Sequence, residues 1–534
     1  MAEEKQETSE NIEENPLNSS EVIKYKDRNF TNKLCYIREH ITVEPLLAGF
    51  IIPSVISRFA MGNFNLDKAC RVNLGFGDEI CEALVKKTSS NYSSYEKEVQ
   101  TLISSIDIWK GMISTLLPCI IIMFLGAWSD RTGKRKLCIL LPIFGEFATS
   151  INNIVNVFFF YEIPVQVTIF LEVFFTAVSG GWVTMFLGVF SYISDITSER
   201  SRTFRVGLVN FCMTAGVPLG VGVGGVLVQK MGYYGLFTST SVMFAMVLMY
   251  GCFLLKEPED FLRDKGRPTV ERTNSKDVAF FDANHIVDTI GVALRRRVSN
   301  TRTKVILTLV AVFLIYGPSM SEHNILYLFV RNQLNWNMMN YSIFLSYSII
   351  LHSIGAMFSI TILSKKLQVD DSLLCLIAMT SKFVGAMWTA FVKTNLEMYL
   401  IPVAEFFTAA TLTSLRSILS KLVEKDEIAK VNSLFSLTET LAALLFNPLY
   451  SWLYMKTLSS LPGAVFLTSA GVIIPAAIIL LSFFIQHRIA VRNARKNAFE
   501  AEEKKAEAES NKLPDKHYLP ETIQPSQLKE KTKL

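Results

Sequence analysis

Several ionisable side chains lie inside long apolar stretches of this 534-residue sequence, where a charge is costly and usually functional, and eight of them are candidates for a site. An arginine can hold a carboxylate through two parallel hydrogen bonds. A buried acid can load and release a proton, because burial disfavours its charged form. Arginines and acids in such stretches therefore indicate anion binding and proton movement. The alternative is that these side chains form structural ion pairs, or that they extend along the helix to place their charge at the membrane surface. The candidates are Arg58, Glu172, Glu322, His323, His352, Glu405, Arg416 and Glu439.

A second group of chemically versatile residues follows an apolar stretch, in the segment GAWSDRTGKRK. Its glycines allow close helix approach and a tight turn, and its acid can face an arginine or a helix N-terminus. A second charged segment, at 195–205, follows a later apolar stretch. The two segments together are predicted to form a latch of several ion pairs that is closed in one conformation of the protein and open in the other. The alternative is that the bases only orient the chain. The predicted latch comprises Gly126, Asp130, Arg131, Gly133, Arg135, Lys136, Asp195, Glu199, Arg202 and Arg205.

The elements that must position these residues are membrane-spanning helices. Half of the residues are hydrophobic and only 19% are charged, which is unusual for a soluble chain of this length. A bilayer core requires about 20 apolar residues of helix. We therefore predict an all-α membrane protein with twelve spans, at 41–62, 103–127, 137–159, 165–194, 206–228, 235–255, 304–330, 339–363, 372–393, 396–418, 429–453 and 462–487.

Lysine and arginine are concentrated in alternate gaps between these spans, which places those gaps and both termini in the cytoplasm. A polar segment separates six spans from six, and ERSRTFRV and EKDEIAKV recur at equivalent gaps. Two related six-helix halves are therefore predicted. The predicted organisation is an N-terminal tail (1–40), a first bundle (41–255) with an outer loop (63–102), a cytoplasmic linker with an amphipathic helix (256–303), a second bundle (304–487) and a C-terminal tail (488–534).

The first outer loop contains two cysteines and a glycosylation sequon. Cys70 and Cys81 are its only cysteines, so a local disulfide is predicted, with two free thiols as the alternative. Asn91 begins the sequon Asn-Tyr-Ser and is a candidate for glycosylation.

The segment GAWSDRTGKRK resembles the signature of the major facilitator superfamily. RTFR after span 4, RSILSKLVEKDE closing span 10, LTETL in span 11 and the long first outer loop resemble solute carrier family 46. The resemblance covers about residues 41–490 and implies a major facilitator fold of two pseudo-symmetric six-helix bundles. Three positions depart from it. The family has a functional histidine in span 7, and no histidine is present at the matching positions near 317–319. Asn210 stands where the family has an acid tied to proton coupling, and Asn335 replaces a cysteine, which excludes a disulfide between loops and favours the local one.

The resemblance also implies roles for the ionisable residues, because spans 1, 4, 7 and 10 line the central cavity in this fold. Arg416 matches an arginine that the family uses for substrate and coupling, and a gate ion pair with Glu199 or Asp195 is the alternative. Glu439 in span 11 is the acid predicted to bind the proton, with a hydrogen-bonded gate residue as the alternative. Glu146 and Lys382 lie in peripheral spans and are predicted to form structural pairs.

The function predicted from these observations is secondary active transport by alternating access, with proton-coupled import of a bulky organic anion such as a folate-like compound or a muropeptide. A proton-independent facilitator and a non-transporting receptor are the alternatives. An enzyme is not expected, because the sequence lacks HExxH, GxSxG and nucleotide-binding loops. No cofactor, metal or nucleic-acid partner is expected. A monomer in the plasma membrane is predicted, with the lysosomal or endosomal membrane as the alternative.

Overall fold

The computed structural model describes residues 43–86, 92–197, 199–264, 301–423 and 428–510. Asn91 and the predicted linker helix lie outside these ranges. Within the ranges, the structure describes the backbone but not the side chains of Asp130, Arg131, Glu199 and Arg202. Two compact units are present, residues 1–480 and residues 481–534. The described part of the second unit is helical as far as Ser510.

The described part of the N-terminal half forms seven helices, because long apolar runs in a bilayer must satisfy their backbone groups internally. Their bounds are α1 (Glu44–Lys68, continued by a π-helical turn at Ala69–Asn73), α2 (Asp78–Lys86), α3 (Ser93–Thr132), α4 (Lys136–Phe158), α5 (Val165–Val178), α6 (Gly181–Ile196) and α7 (Glu199–Phe253). A short helix, α8 (Pro258–Asp264), follows this half.

The C-terminal half is built in the same way from long helices with local interruptions. Its elements are α9 (Thr301–Gln333), α10 (Met338–Phe358, continued by a π-helical segment at Ser359–Lys366), α11 (Asp371–Ala390), α12 (Asn395–Ala404), α13 (Ala410–Lys421), α14 (Ile428–Thr457) and α15 (Ala464–Ser510). The turn between α12 and α13 lies inside predicted span 10 and contains Glu405.

Helix covers most of each of the twelve predicted spans, although two spans are broken and two are joined. Predicted span 4 is divided between α5 and α6. Predicted spans 5 and 6 both lie in α7, which is interrupted only at Gly232, where φ is 66° and ψ is −175°. Among the described residues, nine helical segments are long and apolar enough to cross a membrane. The all-helical fold is therefore confirmed, whereas the number of crossings stays a prediction.

The two halves meet along helix pairs and in an apolar core. Helix α3 packs against α14, and α7 packs against α10. A buried cluster combines Leu66 and Ile103 of the first half with Ile325, Leu328 and Tyr454 of the second. We call the end of the molecule that carries α2 and this cluster the outer end. A second cluster, which runs from Val43 to Leu255, belongs to the first half alone and lies towards the opposite, inner end.

Candidate functional site

A buried ion pair joins the two halves at the outer end. Arg331 of α9 donates from Nε to Glu96 Oε1 of α3 at 2.6 Å, and only 2% of the Arg331 side chain and 4% of the Glu96 side chain are exposed. The Arg331 guanidinium also donates from Nη2 to the backbone oxygen of Leu84 at 2.7 Å and from Nη1 to Asn63 Oδ1 at 3.2 Å. Burial makes such a pair strongly dependent on both partners.

Further hydrogen bonds connect the halves around this pair. Tyr327 Oη of α9 donates to Asn63 Oδ1 of α1 at 2.9 Å, and Asn63 Nδ2 donates to Tyr233 Oη of α7 at 2.7 Å. Gln100 Nε2 of α3 donates to the Leu328 carbonyl at 3.1 Å, while Tyr454 Oη of α14 donates to Gln100 Oε1 at 2.9 Å. We call this group, together with Glu96 and Arg331, the outer gate.

A disulfide between Cys70 and Cys81 fastens α2 to the end of α1, with the Cα atoms 5.8 Å apart. Helix α2 supplies the Leu84 carbonyl that accepts from Arg331, so the disulfide helps to position one part of the outer gate. This is the local pairing that the sequence indicated, and the free-thiol alternative does not describe these two residues.

At the inner end, the residues of the predicted latch contact partners within the first half. Arg135 Nε is 2.8 Å from Asp195 Oδ2, and Arg135 Nη1 donates to Ser129 Oγ at 3.0 Å. The backbone N–H groups of Arg135 and Lys136 donate to Glu257 Oε2 at 3.0 Å and 3.2 Å. An acid at the start of α4 also suits the positive end of that helix.

The other described residues of the predicted latch are an arginine that forms an ion pair and two glycines that allow a tight turn and a close helix contact. Arg205 donates from Nε and Nη2 to the two carboxylate oxygens of Glu44, at 2.8 Å and 2.9 Å. Gly133 ends α3 with φ of 72°, a left-handed conformation that glycine adopts without strain. A Cβ at Gly126 would lie 3.1 Å from Leu187 Cδ2, so this glycine permits α3 and α6 to approach closely.

In the middle of the first half, Arg58 of α1 reaches Glu146 of α4. The Nη2–Oε1 distance is 2.7 Å, and the Arg58 side chain is 51% exposed while that of Glu146 is only 3% exposed. The Arg58 guanidinium also lies 5.3 Å from the centre of the Trp182 ring. Glu172, another predicted cavity residue, lies 3.8 Å from Lys110 Nζ and accepts from Asn65 Nδ2 at 3.4 Å.

In the middle of the second half, Lys382 of α11 lies between two carboxylates. Its Nζ is 2.6 Å from Glu322 Oε2 of α9 and 3.0 Å from Glu405 Oε1. His352 Nε2 of α10 lies 3.7 Å from the other oxygen of Glu405. We call these four residues the carboxylate cluster. A Cβ at Gly385 would lie 2.1 Å from Glu405 Cγ, so only glycine at this position leaves room for the acid.

Arg416 and Glu439 form a pair at the inner part of the second half, with Nη2 and Oε2 2.9 Å apart. The Arg416 side chain is 50% exposed, and its guanidinium lies 4.6 Å from the centre of the Phe435 ring. The sequence analysis assigned separate roles to Arg416 and Glu439, and the structure shows that they form an ion pair with each other. His323 is exposed on α9 beside Glu322 and lies within electrostatic reach of Lys382.

Sequence reasoning did not select Glu96 or Arg331, because it placed both outside the spans. A signal was available for Glu96. Val99, Ile103 and Ile106 recur at helical spacing and are buried, which shows that the helix of span 2 begins well before its apolar stretch. Glu44 and Glu257 were not among the predicted site residues either, yet both accept hydrogen bonds from the predicted latch region.

The sequence matches the Major Facilitator Superfamily over residues 97–404, which is more than half of the chain. The chain therefore belongs to the Major Facilitator Superfamily, and it is a membrane transporter rather than an enzyme. It is similar to a solved structure of a POT family transporter in complex with a thioalcohol conjugated peptide. The TM-score is 0.54 at 14% identity, covering 82% of this chain and 96% of that one. That similarity concerns the fold alone.

Within the superfamily, the chain is a divergent member that resembles solute carrier family 46. It is 26% identical to the lysosomal proton-coupled steroid conjugate and bile acid symporter SLC46A3 of Rattus norvegicus, over 75% of this chain and 84% of that protein. It is 24% identical to the proton-coupled folate transporter of Bos taurus, over 74% of this chain and 82% of that protein. The relatives of this integral membrane protein transport small molecules.

Proposed function

We propose that this protein is a symporter that moves a bulky organic anion towards the cytoplasm together with protons. The proposal depends mainly on the carboxylate cluster. Two acids, Glu322 and Glu405, share the single ammonium group of Lys382, and the exposed fractions of the three side chains are 6%, 11% and 13%. With His352 neutral, this group carries one net negative charge, and one added proton makes it neutral.

A buried net charge is unfavourable, so the cluster favours protonation when it is shielded from water. Two features support this cluster as the place where the proton binds. Among the described residues, Glu322 Oε1 is buried and has no hydrogen-bond partner, and His352 Nε2 is in the same situation. Access to water on one side and then on the other would load and unload this proton. The cluster therefore supplies the coupling site that symport requires.

Two half-exposed arginines support an anion as the cargo. Arg58 and Arg416 each hold an acid on a neighbouring helix and still leave about half of the side chain exposed. They belong to spans 1 and 10, which line the central cavity in this superfamily. A guanidinium presents a planar set of donors that matches a carboxylate or a sulfate. The names of the relatives, which include folate and steroid conjugates, are consistent with this chemistry.

The ends of the molecule support alternating access. The outer gate joins the two halves, whereas Arg135–Asp195 and Arg205–Glu44 at the inner end each join helices of one half. In the proposed cycle, this arrangement is the state in which the outer gate is closed. Transport then requires the outer gate to separate.

The proposal can be tested in proteoliposomes with tritiated estrone sulfate, taurocholate and folate. We expect uptake of at least one probe to be faster with an outside pH of about 5.5 than of about 7.4. Glu405→Gln should abolish accumulation driven by the pH gradient but retain exchange of labelled for unlabelled probe. Glu82→Gln, on the exposed surface of α2, is the matched control and should behave like the wild type.

The outcomes separate the proposal from its alternatives. Uptake of equal rate at both pH values would indicate a proton-independent facilitator and would refute proton coupling. Binding of a probe without exchange would indicate a receptor. Retention of gradient-driven accumulation in Glu405→Gln would remove the coupling role from the carboxylate cluster.

A further inference from the structure

Arg58 is placed to exchange one anionic partner for another. Its Nη2 is 2.7 Å from Glu146 Oε1, yet half of the arginine side chain remains exposed. Glu146 is different, because only 3% of its side chain is exposed. At about 1.5 Å per residue, Arg58 lies roughly 20 Å from Glu44 along α1, and Glu146 lies roughly 15 Å from Lys136 along α4. Both residues are therefore near the middle of the membrane.

An aromatic surface accompanies the arginine. The Arg58 guanidinium stacks 5.3 Å from the centre of the Trp182 ring, and Trp182, Phe186 and Phe190 follow one another along one side of α6 with ring centres 6.0 Å and 6.3 Å apart. All three side chains are partly exposed. Within the described part of the chain, the Trp182 indole N–H is buried and has no hydrogen-bond partner. A flat apolar body with one anionic group would match these features.

The charged groups on the helices around Glu146 leave Arg58 as its direct partner. On α1, Glu44 is bound to Arg205, and on α6, Asp195 is bound to Arg135. Lys110 and Asp107 of α3 are coupled to Glu172 of α5. Helix α7 faces α4 with the hydroxyl groups of Thr240 and Ser241. Lys110 is the second cation within electrostatic reach of Arg58.

We propose that the anionic group of the substrate replaces the Glu146 carboxylate on Arg58, and that Glu146, left buried without its cation, takes up a proton. This inference rests on the proposed function, since it requires an organic anion as cargo. The only covalent bond that forms is the O–H bond of the protonated Glu146. The substrate gains the guanidinium, and Glu146 passes from carboxylate to carboxylic acid by taking one proton from water. The site is neutral before the exchange (Arg58 with Glu146) and neutral after it (Arg58 with the substrate anion and an uncharged Glu146), whereas a bare carboxylate at this burial would be strongly unfavourable.

The exchange predicts a particular pH dependence of binding. When one proton is taken up for each anion bound, the affinity rises about tenfold for each unit by which the pH falls. Glu146→Gln removes the competing charge, so that the variant should bind at all pH values with the affinity that the wild type reaches at low pH. Arg58→Gln should bind about tenfold to a hundredfold more weakly, because a charge-assisted contact is lost.

The experiment measures equilibrium binding of tritiated estrone sulfate to the full-length protein in nanodiscs between about pH 5.5 and pH 8. The sulfate group stays ionised in this range, so that any pH dependence belongs to the protein. Glu82→Gln, on the exposed surface of α2, is the matched control and should keep the slope of the wild type. Thermal unfolding of each variant establishes that it is folded.

A folded Glu146→Gln variant that keeps the wild-type slope, or binds more weakly at low pH, would overturn the inference. A second measurement does not depend on that variant. In weakly buffered solution, Glu405→Gln should take up one proton for each estrone sulfate bound, and uptake of none would also overturn it. Failure of the wild type to bind or transport any of the three probes would instead refute the proposed function. If the wild type shows proton-driven uptake but Glu146→Gln keeps the wild-type slope of binding against pH, this inference is refuted and the proposed function is not.

Discussion

Neutralising Glu96 should open the outer gate. In the structure, Glu96 and Arg331 are almost completely buried and belong to different halves of the protein. In an outward-facing state the halves separate at this end, and both side chains regain water. The change Glu96→Gln therefore destabilises the inward-facing state and leaves the outward-facing state nearly unaffected.

The size of the effect follows from the contacts that remain. Removing one partner of a buried ion pair costs about 3–5 kcal/mol, because the other charge stays buried. Arg331 keeps the Leu84 carbonyl at 2.7 Å and Asn63 at 3.2 Å, so that the lower value applies. With about 1.4 kcal/mol for each factor of ten, ~3 kcal/mol raises the outward-facing population relative to the inward-facing one roughly a hundredfold.

A cysteine at position 104 can report this population. Ser104 lies one helical turn from Gln100 on the same face of α3, and it is 1% exposed. Ser104→Cys is nearly isosteric, and its thiol should react slowly while the outer gate is closed. We expect Glu96→Gln to accelerate labelling by a thiol reagent in nanodiscs roughly a hundredfold. The protein without Ser104→Cys supplies the background of its native cysteines.

Two controls make this test decisive. Glu82→Gln removes an exposed acid of α2 that pairs with Lys86 inside the same helix, and it should leave the labelling rate unchanged. The double variant Glu96→Gln/Arg331→Gln should label more slowly than Glu96→Gln, because no unpaired charge is left behind. Equal labelling of Ser104→Cys with and without Glu96→Gln would refute the argument that this pair holds the gate closed.

Two other expected outcomes follow from local geometry. Cys81→Ser removes a cross-link that stabilises the fold by about 3 kcal/mol for a loop of this size, so we expect a lower unfolding temperature. We also expect faster labelling of Ser104→Cys, because α2 carries the Leu84 carbonyl that accepts from Arg331. Unchanged labelling would show that α2 does not support the gate. Gly385→Ala places a methyl group 2.1 Å from Glu405 Cγ and should reduce gradient-driven uptake, whereas Gly471→Ala, with no atom within 4 Å of the new Cβ, should not.

The apolar stretches predicted the helices well because length and hydropathy are local properties of the sequence. The interruptions within them were harder to predict. Span 10 reads as one continuous apolar run, yet it ends as α12 at Ala404 and resumes as α13 at Ala410. The reason is tertiary, since the turn between them carries Glu405 to Lys382 and requires Gly385 opposite it. A one-dimensional pattern does not contain that contact.

For the charged residues, the sequence predicted most of the positions but not the partners. Their presence in apolar stretches marked most of them as candidates, but their partners depend on how helices far apart in sequence pack. The sequence suggested Glu199 or Asp195 as partners of Arg416, and the structure shows a pair with Glu439. Arg331 escaped notice because it follows the predicted end of span 7 at residue 330, although α9 continues to Gln333 and buries it.

The placement of charges suggests how gate and coupling sites act together. The outer gate is stable only when its partners are buried against each other, so it favours the state that faces inward. The carboxylate cluster and Glu146 lie instead within single halves, and their partners need not separate when the halves rock. Protons and substrate can therefore change the charge of each half without breaking its internal packing. If the outer gate closed while an acid was not neutralised, the protein would contain a buried charge. This cost opposes the return from the outward-facing to the inward-facing state until substrate and proton are both bound. In the mechanism that we propose, coupling arises from electrostatics at the middle of the membrane, and the outer gate sets which state the empty protein prefers.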